Sequence, residues 1–124
     1  MEKKKRPTSV PSNTERIECG CGYLYVTIGR VDGEIFEVFA ALGRAGGCGY
    51  AQNEALTRSI TLGIRYGVPV DDYIKQLKEI RCPNMGLDEG KDILSCAHAI
   101  AVALEKEMER GEAESPSTNY DNRL

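Results

Sequence analysis

The sequence predicts an α+β fold in which an antiparallel β-hairpin, or small sheet, packs against about three C-terminal helices. Two segments rich in β-forming residues, 23–28 and 34–39, flank the turn dipeptide Asp32-Gly33. Apolar residues then recur at helical spacing through the second half of the chain. The 124 residues suffice for one domain and are too few for a catalytic barrel or a doubly wound sheet.

The hairpin is predicted from composition and from its turn. Residues 23–28 are mostly aromatic or β-branched, and residues 34–39 alternate polar and apolar side chains. Gly33 accepts a positive φ without steric cost, so Asp32-Gly33 favours a tight turn. We therefore expect two antiparallel strands joined at this dipeptide.

Three helices are predicted after the hairpin. The first covers about residues 50–66 and ends before Gly67-Val68-Pro69. Asp71 or Asp72 is expected to cap a shorter helix that reaches about residue 79, and a loop covers 80–91. The last helix is expected over about 92–110, because an apolar stripe runs along it: Ile93, Ala97, Ile100, Leu104 and Met108.

The two ends of the chain differ in composition from the middle. Residues 1–16 contain five Lys/Arg, two Asp/Glu and no apolar period, which predicts a disordered basic arm. Residues 17–110 form the predicted α+β domain, and residues 111–124 are expected to be a flexible polar tail. The run Lys3-Lys4-Lys5-Arg6 is typical of a solvated arm, so we do not expect nucleic-acid binding.

The chain has neither a signal-peptide pattern nor an apolar run of the roughly 18 residues that a membrane span requires. We expect a cytoplasmic protein that does not bind membranes. In a reducing compartment its cysteines are expected to be free thiols, metal ligands or redox groups rather than disulfides. There are five of them: Cys19, Cys21, Cys48, Cys82 and Cys96.

A glycine-rich loop at 43–49 is a candidate site for a nucleotide or another anion. Backbone N–H groups at a helix start bind anions, and an arginine there adds a positive charge. The candidate ligand-binding residues are Arg44, Gly46, Gly47 and Gly49. The loop has neither phosphate-binding glycine pattern, so a sharp turn is the simpler interpretation.

The cysteine spacing alone indicates zinc only weakly. Cys19 and Cys21 are separated by one residue, not the two of a common zinc knuckle, and the others come from separate segments. A small buried thiol is the alternative for each of them. His98 lies about 200° around the helix from Cys96, so we do not expect the two to share a ligand. No catalytic residues are predicted.

Several motifs in order resemble the TSCPD domain. They comprise residues 20–27, 36–39, 43–48 and 51–56, Ile80-Arg81-Cys82-Pro83, and Ser95-Cys96. This domain occurs at the C-terminal end of adenosylcobalamin-dependent ribonucleotide reductases and as free-standing small proteins, including in phage and prophage genomes. The resemblance covers about residues 16–108. Where the family has Thr-Ser-Cys-Pro-Asp, this chain keeps the cysteine but has Ala97 and His98 after it.

The resemblance implies a metal site. The four cysteines that recur in the family correspond to Cys21, Cys48, Cys82 and Cys96, which leaves Cys19 as a bystander. Four thiols from four segments suit a tetrahedral structural zinc site.

The resemblance also implies an accessory or binding module related to ribonucleotide reduction and to DNA synthesis. Radical chemistry and its cobalamin need a large barrel, so we expect no cobalamin on this chain and no catalysis by the chain alone. A ribonucleotide reductase is the expected partner. Because a hairpin with three helices leaves strand edges open, we also expect a homo-oligomer, a dimer or larger.

Two other functions remain open. The first is a thiol redox partner of a ribonucleotide reductase, cycling Cys19 with Cys21 or Cys48 with Cys82 between dithiol and disulfide. The second is nucleotide or other anion binding at the 43–49 loop.

Overall fold

The computed structural model describes residues 2–43 and 47–113. It contains a three-stranded antiparallel sheet, a two-stranded antiparallel sheet and three helices, so the α+β prediction is confirmed. In chain order the elements are β1 (Ser12–Cys19), β2 (Gly22–Val31), β3 (Glu34–Leu42), α1 (Gly47–Arg65), α2 (Val70–Leu77), β4 (Gly86–Asp88), β5 (Lys91–Ile93) and α3 (Cys96–Ala113).

The larger sheet has the order β1-β2-β3. Asp32 and Gly33 join β2 to β3 with φ values of 55° and 81°, the positive values of a tight hairpin turn. The predicted hairpin and its turn are confirmed. Gly20 and Cys21 form the corresponding turn between β1 and β2, because Cys19 pairs with Gly22.

Strand β1 begins inside the segment that was predicted to be a disordered arm. Residues 12–16 pair with β2, in a register that runs from Ser12↔Gly29 to Cys19↔Gly22. The composition of β1 did not indicate a strand, because most of its residues are polar and exposed. Ile17 and Cys19 are the two buried residues of this strand. Pairing with β2 therefore holds the polar first half of the strand, residues 12–16, while Ile17 and Cys19 anchor its second half in the core.

The segment before β1 also contacts the domain. The Arg6 guanidinium donates two hydrogen bonds to the Glu37 carboxylate, at 2.8 and 3.0 Å. This contact raises the pKa of Arg6. The Lys4 N–H donates to the Arg65 carbonyl at 2.8 Å. At the other end of the chain, α3 continues to Ala113, into the predicted tail.

The second half of the chain differs from the prediction in two places. The short strands β4 and β5 lie where a loop and a helix start were expected, and α3 therefore begins at Cys96 instead of near 92. Three-residue strands are too short to show an alternating pattern. Helix α2 ends within two residues of the prediction, but the expected cap is wrong: Pro69 is the N-cap, no side chain caps the helix, and Asp71 and Asp72 lie in its first turn. Helix α1 begins three residues earlier than expected.

The core lies between the larger sheet and the helices. Helix α3 contacts β1 and β2 as well as α2, and its alanines Ala99, Ala101 and Ala103 are completely buried. Small side chains allow this helix to approach its neighbours closely on more than one side. The largest apolar side chains that are fully buried are Ile17, Leu24, Val26, Ile28, Val38, Ile60, Ile93, Ile100 and Leu104.

Helix α1 lies along the outer edge of β3. The Thr61 hydroxyl accepts a hydrogen bond from the Val38 N–H and donates one to the Val38 carbonyl, both at 2.9 Å. These groups would otherwise be an open sheet edge. Across the described ranges, no helix has the length and hydropathy that crossing a membrane requires.

Candidate thiol site

Three chain segments that carry cysteines meet at one end of the molecule. They are the turn between β1 and β2, the loop 82–86 and the start of α3. A Cβ on Gly20 would lie 2.0 Å from the Asn84 carbonyl oxygen, and one on Gly86 would lie 2.6 Å from the Cys19 Cα. Glycine at both positions therefore lets the loop backbone rest directly on the turn.

A local hydrogen-bond network positions Cys96 and Cys82. The Ser95 hydroxyl accepts the His98 N–H at 3.0 Å and caps α3, while His98 Nδ1 accepts the Leu94 N–H at 3.1 Å. The Cys82 N–H donates to the Leu94 carbonyl at 2.9 Å. His98 thus takes part in the helix cap through its backbone N–H and its Nδ1.

Cys19 and Cys96 are in direct contact. Their sulfur atoms are 3.6 Å apart, and the Cys19 thiol also donates to the Gly22 carbonyl at 3.3 Å. The hydrogen bond with Cys96 lowers the pKa of Cys19 to about 7. The same contact raises the pKa of Cys96, because the two thiols cannot both ionise at this distance. One of the two sulfurs is therefore partly ionised near neutral pH.

Cys21 and Cys82 adjoin this pair. Although the Cys21 residue is exposed as a whole, partial burial of its sulfur raises its pKa, and the Cys96 and Cys82 thiols raise it further. Asn53 approaches from α1: its side chain is buried and lowers the pKa of Cys96, against the larger effect of Cys19. We call Cys19, Cys21, Cys82 and Cys96 the thiol cluster.

Cys48, one of the four cysteines implied by the family resemblance, precedes Gly49, whose carbonyl accepts a hydrogen bond from the Asn53 amide at 2.9 Å. It is exposed in the first turn of α1, and no contact described here joins it to the thiol cluster. Cys19, which the sequence analysis regarded as a bystander, is in the cluster instead. The signal for Cys19 was its spacing of two from Ile17, which places both side chains on the buried face of β1.

The cluster is not a finished metal site. In the described part of the chain, no three Cys, His, Asp or Glu side chains are already arranged to hold a metal ion. The two sulfurs of the described residues that are in hydrogen-bonding contact are those of Cys19 and Cys96, at 3.6 Å. The Cys21 residue is exposed at its turn, and Cys82 is half-buried.

The glycine-rich loop is described in part. Arg44 and Gly46, two of the four residues predicted to bind a nucleotide, lie outside the described residues. Gly47 begins α1 with a φ of 87°, and Gly49 follows in the same turn, where a Cβ would lie 3.2 Å from Leu42 Cδ1. The nucleotide site at this loop stays a prediction.

Comparison with known proteins identifies the family. The TSCPD domain model matches residues 2–108. The chain belongs to the TSCPD domain family. It is also 26% identical over 108 residues to a vitamin B12-dependent ribonucleotide reductase of Agrobacterium fabrum, and 26% identical over 110 residues to one of Bradyrhizobium diazoefficiens.

These matches cover a small part of each reductase. They include 86% of this chain in both cases, but 8% of the Agrobacterium protein and 9% of the Bradyrhizobium protein. The chain therefore spans less than a tenth of the curated relatives that it matches. No solved structure matches it. The TSCPD domain is thus related in sequence to ribonucleotide reductases, while the rest of those enzymes has no counterpart in these 124 residues.

Proposed function

We propose that this TSCPD domain is an accessory module of ribonucleotide reduction that holds a structural zinc ion and catalyses no reaction alone. The observation that carries the proposal is the meeting of three cysteine-bearing segments in the thiol cluster. Two of these segments are separated from the first by more than 60 residues, so their approach is a property of the tertiary fold.

The spacing of the closest pair suits zinc. A zinc–thiolate bond of about 2.3 Å gives a distance of about 3.8 Å between two sulfurs of a tetrahedral site. The Cys19–Cys96 separation of 3.6 Å is close to that value. The lowered pKa of Cys19 also favours binding, because the thiolate is the form that ligates a metal.

We propose that Cys19, Cys21, Cys82 and Cys96 are the four ligands. Cys21, Cys82 and Cys96 are also in the set implied by the family resemblance, and the two sets differ in the fourth member. Cys19 is favoured because it already contacts Cys96, whereas Cys48 lies in α1 without such a contact. When bound, zinc would neutralise the thiolates and join the turn, the loop and α3.

Metal analysis of the purified protein tests the site. We expect about one zinc per chain, and a large loss of zinc in Cys82→Ser and Cys96→Ser. Cys48→Ser is the matched control and should keep its zinc, whereas Cys19→Ser should lose it. The opposite result for these two variants would restore Cys48 as the fourth ligand. Protein that is folded and free of zinc in reducing buffer would rule out the metal proposal.

A thiol redox function is the second candidate. The Cys19–Cys96 contact and the lowered pKa of Cys19 favour this pair over the Cys19–Cys21 and Cys48–Cys82 pairs expected from the sequence. In this function the dithiol would reduce a disulfide of a partner reductase, giving up two electrons and two protons and becoming a disulfide itself. Thiol titration separates the candidates, because zinc-bound thiols stay protected from oxidant until a chelator is added.

Binding to a reductase tests the accessory role. A vitamin B12-dependent ribonucleotide reductase from which the TSCPD domain has been deleted is the appropriate partner. We expect this chain to bind that protein, and to bind it more weakly after Cys96→Ser if the zinc site supports the fold. If this chain does not bind the reductase that lacks its TSCPD domain, the accessory role is contradicted, while the zinc proposal still stands.

Nucleotide binding at Arg44, Gly46, Gly47 and Gly49 remains a third proposal. Its support is the position of Gly47 and Gly49 at the start of a long helix, together with the arginine in the preceding loop. A nucleotide that binds there should raise the melting temperature, and Arg44→Ala should abolish the rise. An unchanged melting temperature across a panel of nucleotides would contradict it.

A further inference from the structure

The two edges of the larger sheet are treated differently by the fold. Helix α1 covers the edge of β3 through Thr61. The edge of β1 contacts β4 near the C-terminal end of β1, where the Asp88 carboxylate accepts the Glu18 N–H at 2.9 Å. Residues 12–14 and 16 are exposed. In the described ranges, no backbone hydrogen bond occupies the outward-facing groups of Ser12, Thr14 and Arg16.

The register of the hairpin shows which backbone groups face outward. The Glu18 N–H bonds to Asp88, on the side away from β2, so the backbone groups of Glu18 point outward. Inward and outward groups alternate along an antiparallel strand. The N–H and C=O groups of Thr14 and Arg16 therefore also point away from β2 and form a template for another strand.

The charged side chains of Glu15 and Arg16 are held within the chain and do not block pairing of this edge with another strand. Open edges are commonly blocked by charged side chains, proline or a bulge. Here Glu15 is held by Arg110 of α3 at 2.8 Å, and the Arg16 guanidinium lies 4.5 Å from the centre of the Tyr23 ring. Pairing of β1 with β2 is continuous from Ser12 to Cys19, without a bulge. The first half of this edge is unbroken by a bulge, polar and exposed.

We propose that the β1 edges of two copies of this chain pair antiparallel about a two-fold axis at Thr14. Thr14 then lies opposite Thr14 of the second copy, and Ser12 lies opposite Arg16. This pairing makes about six inter-chain backbone hydrogen bonds and continues the sheet across both copies. It is independent of the zinc proposal, because the thiol cluster lies at the other end of β1.

The charges on β1 permit a second copy in this register. With the axis at Thr14, no two like charges lie directly opposite each other. Moving the axis to Arg16 would place two arginines face to face and would need the Glu18 groups, which Asp88 already approaches. Of these two registers, charge repulsion therefore permits the one centred on Thr14 and opposes the one centred on Arg16.

Mass measured against concentration tests the pairing, with Thr14→Lys and Thr27→Lys as a matched pair of variants. The two hydroxyls contact each other at 2.8 Å, so both variants break the same contact and add one charge to the same sheet face. Thr14→Lys places two lysines face to face in the dimer, whereas Thr27 lies on the central strand, away from the axis. Circular dichroism shows whether each variant is folded.

We expect the wild-type mass to approach twice 13.6 kDa as concentration rises. The dimer dissociation constant should increase by about tenfold or more in Thr14→Lys and by less than about threefold in Thr27→Lys. Amide hydrogen exchange at Thr14 and Arg16 should slow with concentration. A mass of 13.6 kDa at all concentrations, equal effects of the two variants, or unchanged exchange at these amides would overturn the proposal.

Discussion

Helix α3 is tied to the β1–β2 hairpin at two places, and the chemistry differs between them. At its first turn, the Cys96 sulfur contacts the Cys19 sulfur at 3.6 Å. Three turns later, Glu107 accepts a hydrogen bond from Arg30 Nε at 2.7 Å, and Arg110 binds Glu15 at 2.8 Å. We call this second place the arginine–glutamate cluster, formed by Glu15, Arg30, Glu107 and Arg110.

The difference lies in charge balance. The arginine–glutamate cluster has two positive and two negative side chains, and the Arg30 guanidinium also donates to the Glu107 backbone carbonyl. The thiol cluster has sulfurs that become negative on ionisation and no cation described within it. The charges of the first cluster thus balance within the chain, although the buried Glu107 Oε1 accepts no hydrogen bond from the described residues. The ionised sulfurs of the thiol cluster have no such counter-charge, and the proposed zinc ion would supply one.

Removing Arg30 should give the largest effect on stability. Glu107 has a side-chain exposure of 1%, so Arg30→Ala leaves a buried carboxylate without its main partner. Such a loss costs about 3–5 kcal/mol of unfolding free energy. Urea denaturation, followed by circular dichroism, measures the change.

An exposed ion pair provides the control for Arg30. Lys78 and Glu105 are 2.9 Å apart, with side-chain exposures of 48% and 36%, and their contact raises the pKa of Lys78. Water solvates both groups when the pair is broken, so Lys78→Ala should change stability little. Equal effects of the two alanine variants would show that the arginine–glutamate cluster does not anchor α3.

Adding a methyl group at Gly20, beside the thiol cluster, should lower the unfolding free energy by an intermediate amount. A Cβ there would lie 2.0 Å from the Asn84 carbonyl oxygen, so Gly20→Ala must push the loop 82–86 away from the turn. We expect a loss of about 1–3 kcal/mol in urea denaturation, together with reduced zinc content.

Gly49→Ala is the matched control for Gly20. Its new methyl group would meet the flexible end of Leu42 at 3.2 Å, within a helix that favours alanine. It should leave both stability and zinc content nearly unchanged. A Gly20→Ala protein with wild-type stability and zinc content would show that the loop need not rest on the turn.

The smallest effect expected is a pH dependence of the metal-free protein. The pKa of Cys19 is lowered to about 7, whereas an unfolded thiol titrates near 9. The folded state therefore releases its proton first, and stability should rise between about pH 7 and pH 9 and be lost as pH falls through 7. Above pH 9 the raised pKa of Cys96 acts in the opposite direction.

We expect a rise of roughly 1 kcal/mol over this range, measured by urea denaturation in chelator and reductant. Cys19→Ser should flatten the profile, while Cys48→Ser, which changes a thiol outside the cluster, should keep it. A wild-type profile that is already flat would mean that Cys19 and Cys96 do not share a proton as their contact indicates.

Local sequence patterns determined several parts of this structure. Asp32-Gly33 predicted its turn because few residues accept positive φ, and this preference acts at the turn itself. Helical faces predicted α1 and most of α3, since apolar spacing directly indicates which side of a helix is buried. The stop at Gly67-Val68-Pro69 and the acidic residues after it predicted α2. The motifs around the cysteines were sufficient to identify the TSCPD family.

The tertiary structure alone decided which cysteines meet. Cys19 joined Cys96 because pairing of β1 with β2 turned its side chain inward and because Gly20 and Gly86 allowed a distant loop to approach. Glu107 likewise lies in an apolar helix face, and nothing near it in the sequence indicates that Arg30 is its partner. Contacts between residues 77 positions apart depend on strand register and close backbone packing, and the composition of a short segment predicts neither of these.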